Sequence, residues 1–255
     1  TGVLGYSMNK ALAAAGATVI IIGRNEEAAI SRATEINKSG GKALAVKADV
    51  LNEEQLLAAK DQILQKFGRI DGLVNAAGGN MPGAVVQPED DLFALDMAAL
   101  QQVLQLNLFG TLLPVQIFGR AIAETSKAGS IVNISSVSAK TVLTKVLGYS
   151  MAKAAIENYT KWFAVELAKR YQGLIRMNAI VPGFFLTEQN RNLLTNADGG
   201  FTKRGNDVIN NTPVGRFGEP NELNAALVWL LSEQSSFVLG STVVVDGGFT
   251  VYSGV

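Results

Sequence analysis

Residues 19–47 read VIIIGRNEEAAISRATEINKSGGKALAVK, and this stretch decides the fold. Val19-Ile-Ile-Ile22 is a short β-branched run of the kind buried in a sheet. Asn25 to Lys38 reads as a helix that ends near Gly40-Gly41. Ala43-Leu-Ala-Val-Lys47 is a second strand. Two strands joined through a helix form a βαβ unit, and that unit implies parallel pairing.

The same alternation continues in both directions. A helix running to Gly16 precedes Val19. Asn52 can cap a helix that extends to Phe67, with Gly68 as its stop. Gly72-Leu-Val-Asn75 is a third strand and leads into Ala76-Ala-Gly-Gly79. A long helix is expected from about Met97 to Glu124. Ser130–Ser135 is a fourth strand, a further helix runs to about Tyr171, and Leu174–Val181 is a fifth strand stopped by Pro182-Gly183. A helix over Glu219–Leu231 and a last strand, Thr242-Val-Val-Val245, complete the series. The reading is an α/β fold: a doubly wound parallel sheet flanked by helices on both faces, in a single domain spanning 1–255. The loops Gln87–Asp91 and Asn196–Asn206 are expected to be the most mobile. No internal repeat, low-complexity tract or linker interrupts the pattern.

Of the 255 residues, 48% are hydrophobic and 17% charged, so a sizeable core is available. Formal net charge is zero, which gives no electrostatic pull toward nucleic acid or an anionic membrane. No apolar run approaches 18 residues and no signal-peptide pattern is present, so neither a membrane span nor secretion is expected. Asn-x-Ser/Thr at Asn133, Asn158 and Asn210 is then accidental. The absence of cysteine fits a cytoplasmic protein without disulfides. There is no histidine either, so acid–base chemistry must fall to Tyr, Lys, Asp or Glu.

Tyr149 and Lys153 stand four apart on a helical segment, and Ser136 stands thirteen residues before the tyrosine. Residues four apart share a helix face. An ammonium beside a phenol favours the phenolate, so Lys153 is expected to lower the pKa of Tyr149 and make it a proton donor and acceptor near neutral pH. Ser150-Met-Ala-Lys153 also fits the S-x-x-K of serine acyl-transfer enzymes, but the accompanying S-D-N and K-T-G are missing. Gly148-Tyr-Ser-Met-Ala152 approaches a nucleophile elbow, yet no histidine exists to complete a triad.

Gly5, Asp49-Val50, Asn75-Ala-Ala-Gly78, Asn107, Ser136, Tyr149-x-x-x-Lys153, Pro182-Gly183 and Asp246-Gly-Gly248 occur in one order at one set of spacings. In these pieces the whole chain resembles the short-chain dehydrogenase/reductase family. The resemblance implies a Rossmann-type fold and hydride transfer with a nicotinamide cofactor, NADP or NAD. It implies Tyr149 as the general acid–base, Lys153 as its partner and ribose ligand, and Ser136 as the hydroxyl that polarises the substrate oxygen. Asn107 would help pass protons by way of water, and Asp49 with Val50 would meet the adenine edge. Asn75, Ala76 and Gly78 would line the third strand's end; Pro182, Gly183 and Thr187 would meet the nicotinamide. Gly2, Leu4 and Gly5 would bring a helix N-terminus to the pyrophosphate. Structural readings stand beside these: Asn107 bonding backbone within its helix, Asp49 as a simple cap, Thr187 capping the helix after it.

Two departures from the family pattern matter. Val3 stands where a glycine is usual, and the family's first strand is not found before Thr1. The chain is therefore expected to lack about a dozen or more N-terminal residues of an intact protein with about seven strands. At the tip of the second family strand the run ends Ile22-Gly23-Arg24-Asn25 with no acid. Arg24 can pair with a 2′-phosphate, which leans toward NADP; an arginine stacked on adenine would fit either cofactor.

The substrate is expected to be a small carbonyl or alcohol. Gly79-Asn80-Met-Pro82, Leu143-Thr-Lys145, the segment from Gly183 to Arg191 and the C-terminal Tyr252-Ser-Gly-Val255 resemble the D-mannonate oxidoreductase (fructuronate reductase) branch. Arg191 or Lys145 would bind a sugar-acid carboxylate, and Asn80, Gln189 and Asn190 its hydroxyls. A lid is expected at about 184–215. A 3-oxoacyl thioester reductase, a polyol dehydrogenase and a dinucleotide-binding protein without turnover are the alternatives. No metal is needed, and the resemblance implies a homotetramer.

Overall fold

The computed structural model describes residues 2–188 and 190–254. Gln189, expected among the substrate residues, lies outside the described residues. The chain forms two compact units. One comprises the residues up to Lys47, Val181–Val228 and those from Val244 on; the other comprises Ala48–Ile180 and Trp229–Val243.

In the first unit, α1 (Val3–Ala14) leads into β1 (Thr18–Gly23), α2 (Glu26–Lys38) and β2 (Lys42–Lys47). The strands β1 and β2 pair in parallel, Val19 opposite Ala43 and Ile21 opposite Ala45. The expected βαβ unit is thus present, and its ends are fixed locally. Asn25 Oδ1 accepts the Ala28 N–H at 2.9 Å, Glu26 and Glu27 occupy the first turn, and Lys38 the last. These charges complement the helix dipole. Asn37 then joins helix to strand: its side chain bonds both the N–H and the C=O of Ala43, at 2.7 and 3.0 Å. Val19 and Ile21 bury against Ala29, Ala33 and Ile36 of α2 and Ala13 of α1.

The second unit holds α3 (Glu53–Phe67), β3 (Gly72–Asn75), β4 (Gly129–Ile134) and α6 (Leu147–Arg170). Between β3 and β4 lie α4 (Met97–Leu104) and α5 (Gly110–Pro114). The strand β5 (Ile175–Pro182) follows α6. The pairs β3–β4 and β4–β5 are parallel, with Val74, Val132 and Asn178 in line. Every residue of β5 is buried, consistent with its place between β4 and β6 (Thr242–Val245). Its Ile175 and Met177 pack with Ile122, Ile131, Ala164 and Leu167. At α3, Asn52 Oδ1 accepts the Gln55 N–H at 3.0 Å, and Gly68, left-handed at φ 74°, donates its N–H to Leu64 O. Both ends are as the sequence predicts.

The described residues give the six strands read from the sequence, in sheets of two and four. Three expectations need correction. The expected single helix from Met97 is broken by π turns at Gln105–Phe109, Val115–Gly119 and Ile122–Ser126. Pro114 supplies no N–H, and the hydroxyls of Thr111 and Thr125 bond the carbonyls of Asn107 and Ala121 four residues back, competing with the regular ladder. The helix expected from Glu219 begins as a tight turn, Pro220–Leu223, and becomes α only at α9 (Asn224–Leu231). Part of the 196–206 loop is helical: α7 (Arg191–Leu194) precedes it and α8 (Lys203–Asn210) starts within it, capped by Thr202 Oγ1 on the Gly205 N–H.

The run Met97–Ser126 is long and apolar enough to cross a membrane by length and composition, although no continuous apolar run within it approaches 18 residues. Of its most apolar window 56% is buried inside the protein, which accounts for the composition as core.

Candidate active site

The trio of Ser136, Tyr149 and Lys153 forms in the second unit. Helix α6 presents Tyr149 and Lys153 one turn apart. The end of β4 delivers Ser136 in extended conformation (φ −164°, ψ 153°), heading the tight turn Val137–Ala139. Ser136 Oγ accepts the Ser138 N–H at 3.2 Å and hydrogen-bonds Tyr149. The Tyr149 ring is half-buried against Ala84, Ala99, Leu100 and Val103. Lys153 is buried, 4% exposed. Its ammonium donates to Ile134 O at 2.7 Å and lies 5.4 Å from the centroid of the Tyr149 ring.

This geometry overturns the expectation that Lys153 lowers the pKa of Tyr149. Burial pushes the phenol above its ordinary value, and the hydrogen bond with Ser136 is what pulls it back. The ammonium is engaged by a strand-end carbonyl, and burial lowers its own pKa to about 8. Tyr149 is therefore a protonated phenol at neutral pH.

The lysine carries a stability consequence with a definite sign. Its folded pKa lies below the unfolded value of about 10.4. Below pH 8 both states are protonated and the folded state bears the cost of a buried charge. That cost is relieved as pH rises from about 8 to 10.4, where the unfolded chain binds more protons. With the folded pKa at about 8, that cost is roughly 3 kcal/mol. We predict that Lys153→Met is more favourable relative to wild type at pH 7 than at pH 10. Thermal melts of both proteins at the two pH values check this, and a gap that does not change with pH refutes it.

Around the trio the second unit places most of the residues singled out by sequence. Asn75 Nδ2 donates to Asn133 Oδ1, and Asn133 Nδ2 to Thr160 Oγ1, both at 2.9 Å, linking β3, β4 and α6 through buried side chains. Asn107 is fully buried. Its Nδ2 donates to Gly79 O at 2.7 Å and Val103 O at 2.9 Å, and its Oδ1 accepts the Gly79 N–H at 3.0 Å. The side-chain amide is engaged with backbone and holds the end of β3, while the backbone carbonyl of Asn107 accepts the Thr111 hydroxyl. A Cβ on Gly78 would stand 2.6 Å from Asn107 Oδ1 and 3.4 Å from Lys153 Nζ, so only glycine fits between them. Asp49 is half-buried and its Oδ1 accepts the Leu51 N–H at 3.0 Å. Val50 packs on α5, where a Cβ at Gly110 would touch it. Ala76 and Asn80 are exposed. Lys145, at φ 74°, donates to Gln87 Oε1 at 2.9 Å.

The remaining candidates lie in the first unit. Gly2 caps α1 with extended backbone and no capping side chain, Leu4 and Gly5 sit in a first turn without acid, and the space beside Gly2 and Gly5 is open. A helix N-terminus so bare of competing groups fits a pyrophosphate. Arg24 is exposed at the end of β1. Pro182 ends β5, and Gly183 donates its N–H to Val245 O at 2.9 Å; a Cβ there would stand 2.6 Å from Asp246 Cα. Thr187 donates its N–H to Asn190 Oδ1 at 2.8 Å, while Asn190 Nδ2 donates to Phe185 O at 2.8 Å. Both ends of the Asn190 amide therefore bond the backbone of the segment after β5. Arg191 lines a cleft of ≈ 690 Å³ with Leu186, Asn192, Thr195, Asn196 and Phe201.

Sequence reasoning missed Ser135, Lys140 and Glu157; the Glu157 carboxylate contacts the other two beside the trio. The one signal was positional: Glu157 lies a further turn along the face of Tyr149 and Lys153.

Comparison with known proteins accords with this geometry. The sequence model of a family described as enoyl-(acyl carrier protein) reductase matches residues 2–250. An uncharacterised oxidoreductase of Bacillus subtilis (strain 168), UxuB, is 45% identical over 264 residues, covering 100% of this chain and 94% of that protein. A solved structure from Haemophilus influenzae with bound NAD, provisionally named a D-mannonate oxidoreductase, is 44% identical. Its TM-score is 0.91, with 100% of this chain and 93% of that chain covered. A gluconate 5-dehydrogenase from Burkholderia cenocepacia J2315, in complex with NADP and tartrate, is 33% identical. Its TM-score is 0.84, with 97% and 91% covered. With its parallel sheets, its Ser–Tyr–Lys arrangement and a match over nearly its whole length, the chain belongs to the short-chain dehydrogenase/reductase family and is an oxidoreductase with a nicotinamide cofactor.

Proposed function

We propose that the protein interconverts a keto sugar acid and its hydroxy acid, D-fructuronate and D-mannonate being the favoured pair. The observation that carries the chemistry is the hydrogen bond between Ser136 and Tyr149 beside the buried ammonium of Lys153. A nicotinamide cofactor supplies or accepts the hydride when bound. Ser136 donates a hydrogen bond to the substrate oxygen and stabilises charge developing there. Tyr149, protonated at neutral pH, gives its proton to that oxygen in reduction and takes it back in oxidation. Lys153 holds a positive charge beside the phenol and a ribose hydroxyl, and Asn107 keeps Gly78 and Gly79 in place.

Gly2, Leu4, Gly5, Asp49, Val50, Asn75, Ala76, Gly78, Pro182, Gly183 and Thr187 hold the cofactor in this reading, with Arg24 favouring NADP over NAD. Residues 184–215 serve as the substrate lid of a single nicotinamide-binding domain. The sugar-acid assignment is supported by the likeness to the protein named for mannonate, by the hydroxy diacid bound to the gluconate dehydrogenase relative, and by Arg191 lining the lid cleft, where it can meet a carboxylate. Lys145 is a second cation for that carboxylate and Asn80 a hydroxyl ligand. A cytoplasmic homotetramer is part of the proposal; the apolar Met151, Trp162 and Val165 exposed on α6 support the assembly.

A reductase of 3-oxoacyl thioesters is the second reading, favoured by the acyl-carrier description of the matching family. Spectroscopic oxidation of NADH and of NADPH with D-fructuronate, other keto sugar acids and a 3-oxoacyl thioester decides between them. We expect D-fructuronate to be the fastest substrate. Turnover of the thioester alone would replace the sugar-acid reading, and turnover of nothing would remove both.

A further inference from the structure

Glu157 is a buried carboxylate, 5% exposed, that the acid–base chemistry above does not use. It stands one turn beyond Lys153 on α6, so Tyr149, Lys153 and Glu157 share a face. Its two oxygens go to different places. Oε1 accepts the hydroxyl of Ser135 at 2.9 Å. Oε2 forms an ion pair with Lys140 Nζ at 2.6 Å, and that ammonium also donates to Thr242 Oγ1 at 3.1 Å. Ser135 and Lys140 are the two ends of the short segment that contains Ser136. Between them the backbone turns tightly, Ala139 N–H to Ser136 O at 3.0 Å and Lys140 N–H to Val137 O at 2.9 Å, while Ser135 N–H is donated to Ile180 O at 2.8 Å. One carboxylate on the helix that carries Tyr149 thus grips both ends of the segment that carries Ser136.

We infer that Glu157, through Ser135 and Lys140, is a positioning residue that sets the Ser136 hydroxyl against Tyr149. The inference rests on the roles given to Ser136 and Tyr149 under Proposed function. A buried ion pair adds little net stability over an apolar replacement. Its charged hydrogen bonds are nevertheless short and directional, and a misplacement of about 1 Å in an active site costs on the order of 100-fold in rate.

The test is a double-mutant cycle with Glu157→Gln and Ser136→Ala, singly and together, read with whichever of D-fructuronate or the 3-oxoacyl thioester the wild-type protein reduces. Glu157→Gln keeps an acceptor for Ser135 and gives up the ion pair; Lys140, with 27% of its side chain exposed, stays solvated. It is expected to lower kcat by about tenfold or more, with KM and cofactor affinity within about twofold. Once Ser136 is alanine, the same change is expected to cost less than about twofold. A side chain that only stabilises the fold gives equal losses in both backgrounds, or none in either, and each result overturns the inference. If Glu157→Gln does not fold, Ser135→Ala and Lys140→Gln are expected to show the same pattern, and full activity in both overturns it. If the wild type reduces neither substrate, fluorotyrosine at position 149 provides the readout. Glu157→Gln should then move its fluorine resonance toward the Ser136→Ala position, and an unmoved resonance overturns the inference. Unimpaired turnover in Ser136→Ala removes the acid–base reading itself, whereas loss there with Glu157→Gln at the wild-type rate removes only the inference.

Discussion

Replacing Tyr149 with phenylalanine lowers turnover by about 10²- to 10⁴-fold, the usual contribution of a positioned proton donor, and leaves cofactor affinity near that of the wild type. The substitution deletes one hydroxyl. The ring keeps its packing against Ala84, Ala99, Leu100 and Val103, and Ser136 keeps its bond from the Ser138 N–H. Loss of a single hydrogen bond costs about 1 kcal/mol of stability, so the folded fraction does not account for the lost rate. The direction of reaction adds a second signature. Because burial holds the phenol above its ordinary pKa, reduction finds its proton donor loaded at neutral pH, whereas oxidation needs the phenolate and rises as pH approaches and passes the tyrosine range. Steady-state rates in both directions, with cofactor titration followed by nicotinamide fluorescence, check this. A Tyr149→Phe protein within threefold of the wild-type rate would falsify the acid–base assignment.

Asn107→Ala is expected to be the more damaging change to the fold. The side chain is wholly buried and its three hydrogen bonds all reach backbone. Truncation strands the Gly79 N–H and C=O in the interior, and each orphaned group costs about 1–3 kcal/mol. A total near 3 kcal/mol lowers the thermal midpoint of a chain this size by about 6–12 °C. The loss also reaches the chemistry, since Asn107 Oδ1 and Lys153 Nζ both crowd the site of a missing Cβ at Gly78. Asn107→Asp is no milder: its carboxylate still accepts the Gly79 N–H, but it brings a buried charge against the Gly79 and Val103 carbonyls. Differential scanning calorimetry should place the midpoints of both variants well below that of the wild type. A midpoint for Asn107→Ala within 2 °C of wild type would show that the clamp is not needed.

What was legible in the sequence was local. Asn25, Asn52 and Gly68 end helices through contacts within four residues, so their roles follow from residue type and position. The βαβ unit of residues 18–47 is of the same kind, since the period of apolar side chains changes with the backbone that carries them. The trio was legible as a pattern of positions. The net effect on Tyr149 was not, because a four-residue spacing reports only which side chains share a face. Desolvation depends on everything packed around that face, and here it outweighs the hydrogen bond with Ser136.

The segment after β5 shows the same limit. Asn190 reads as a polar side chain, and only the fold shows that a short turn brings its amide between Thr187 N–H and Phe185 O. The helical run from Met97 was legible as helical and apolar, whereas its π turns follow from Pro114 and from hydroxyls turned back onto carbonyls. By itself the sequence determined the parallel α/β architecture, the chain family and the identities of Ser136, Tyr149 and Lys153, because these rest on periodicity and on spacing along one chain. Only the tertiary structure decided that Ser136 tunes Tyr149, that Asn107 and Gly78 form a clamp, and that Glu157 grips both ends of the Ser136 segment. Those facts depend on distances between segments far apart in sequence, and burial sets the strength of every charge and hydrogen bond across them.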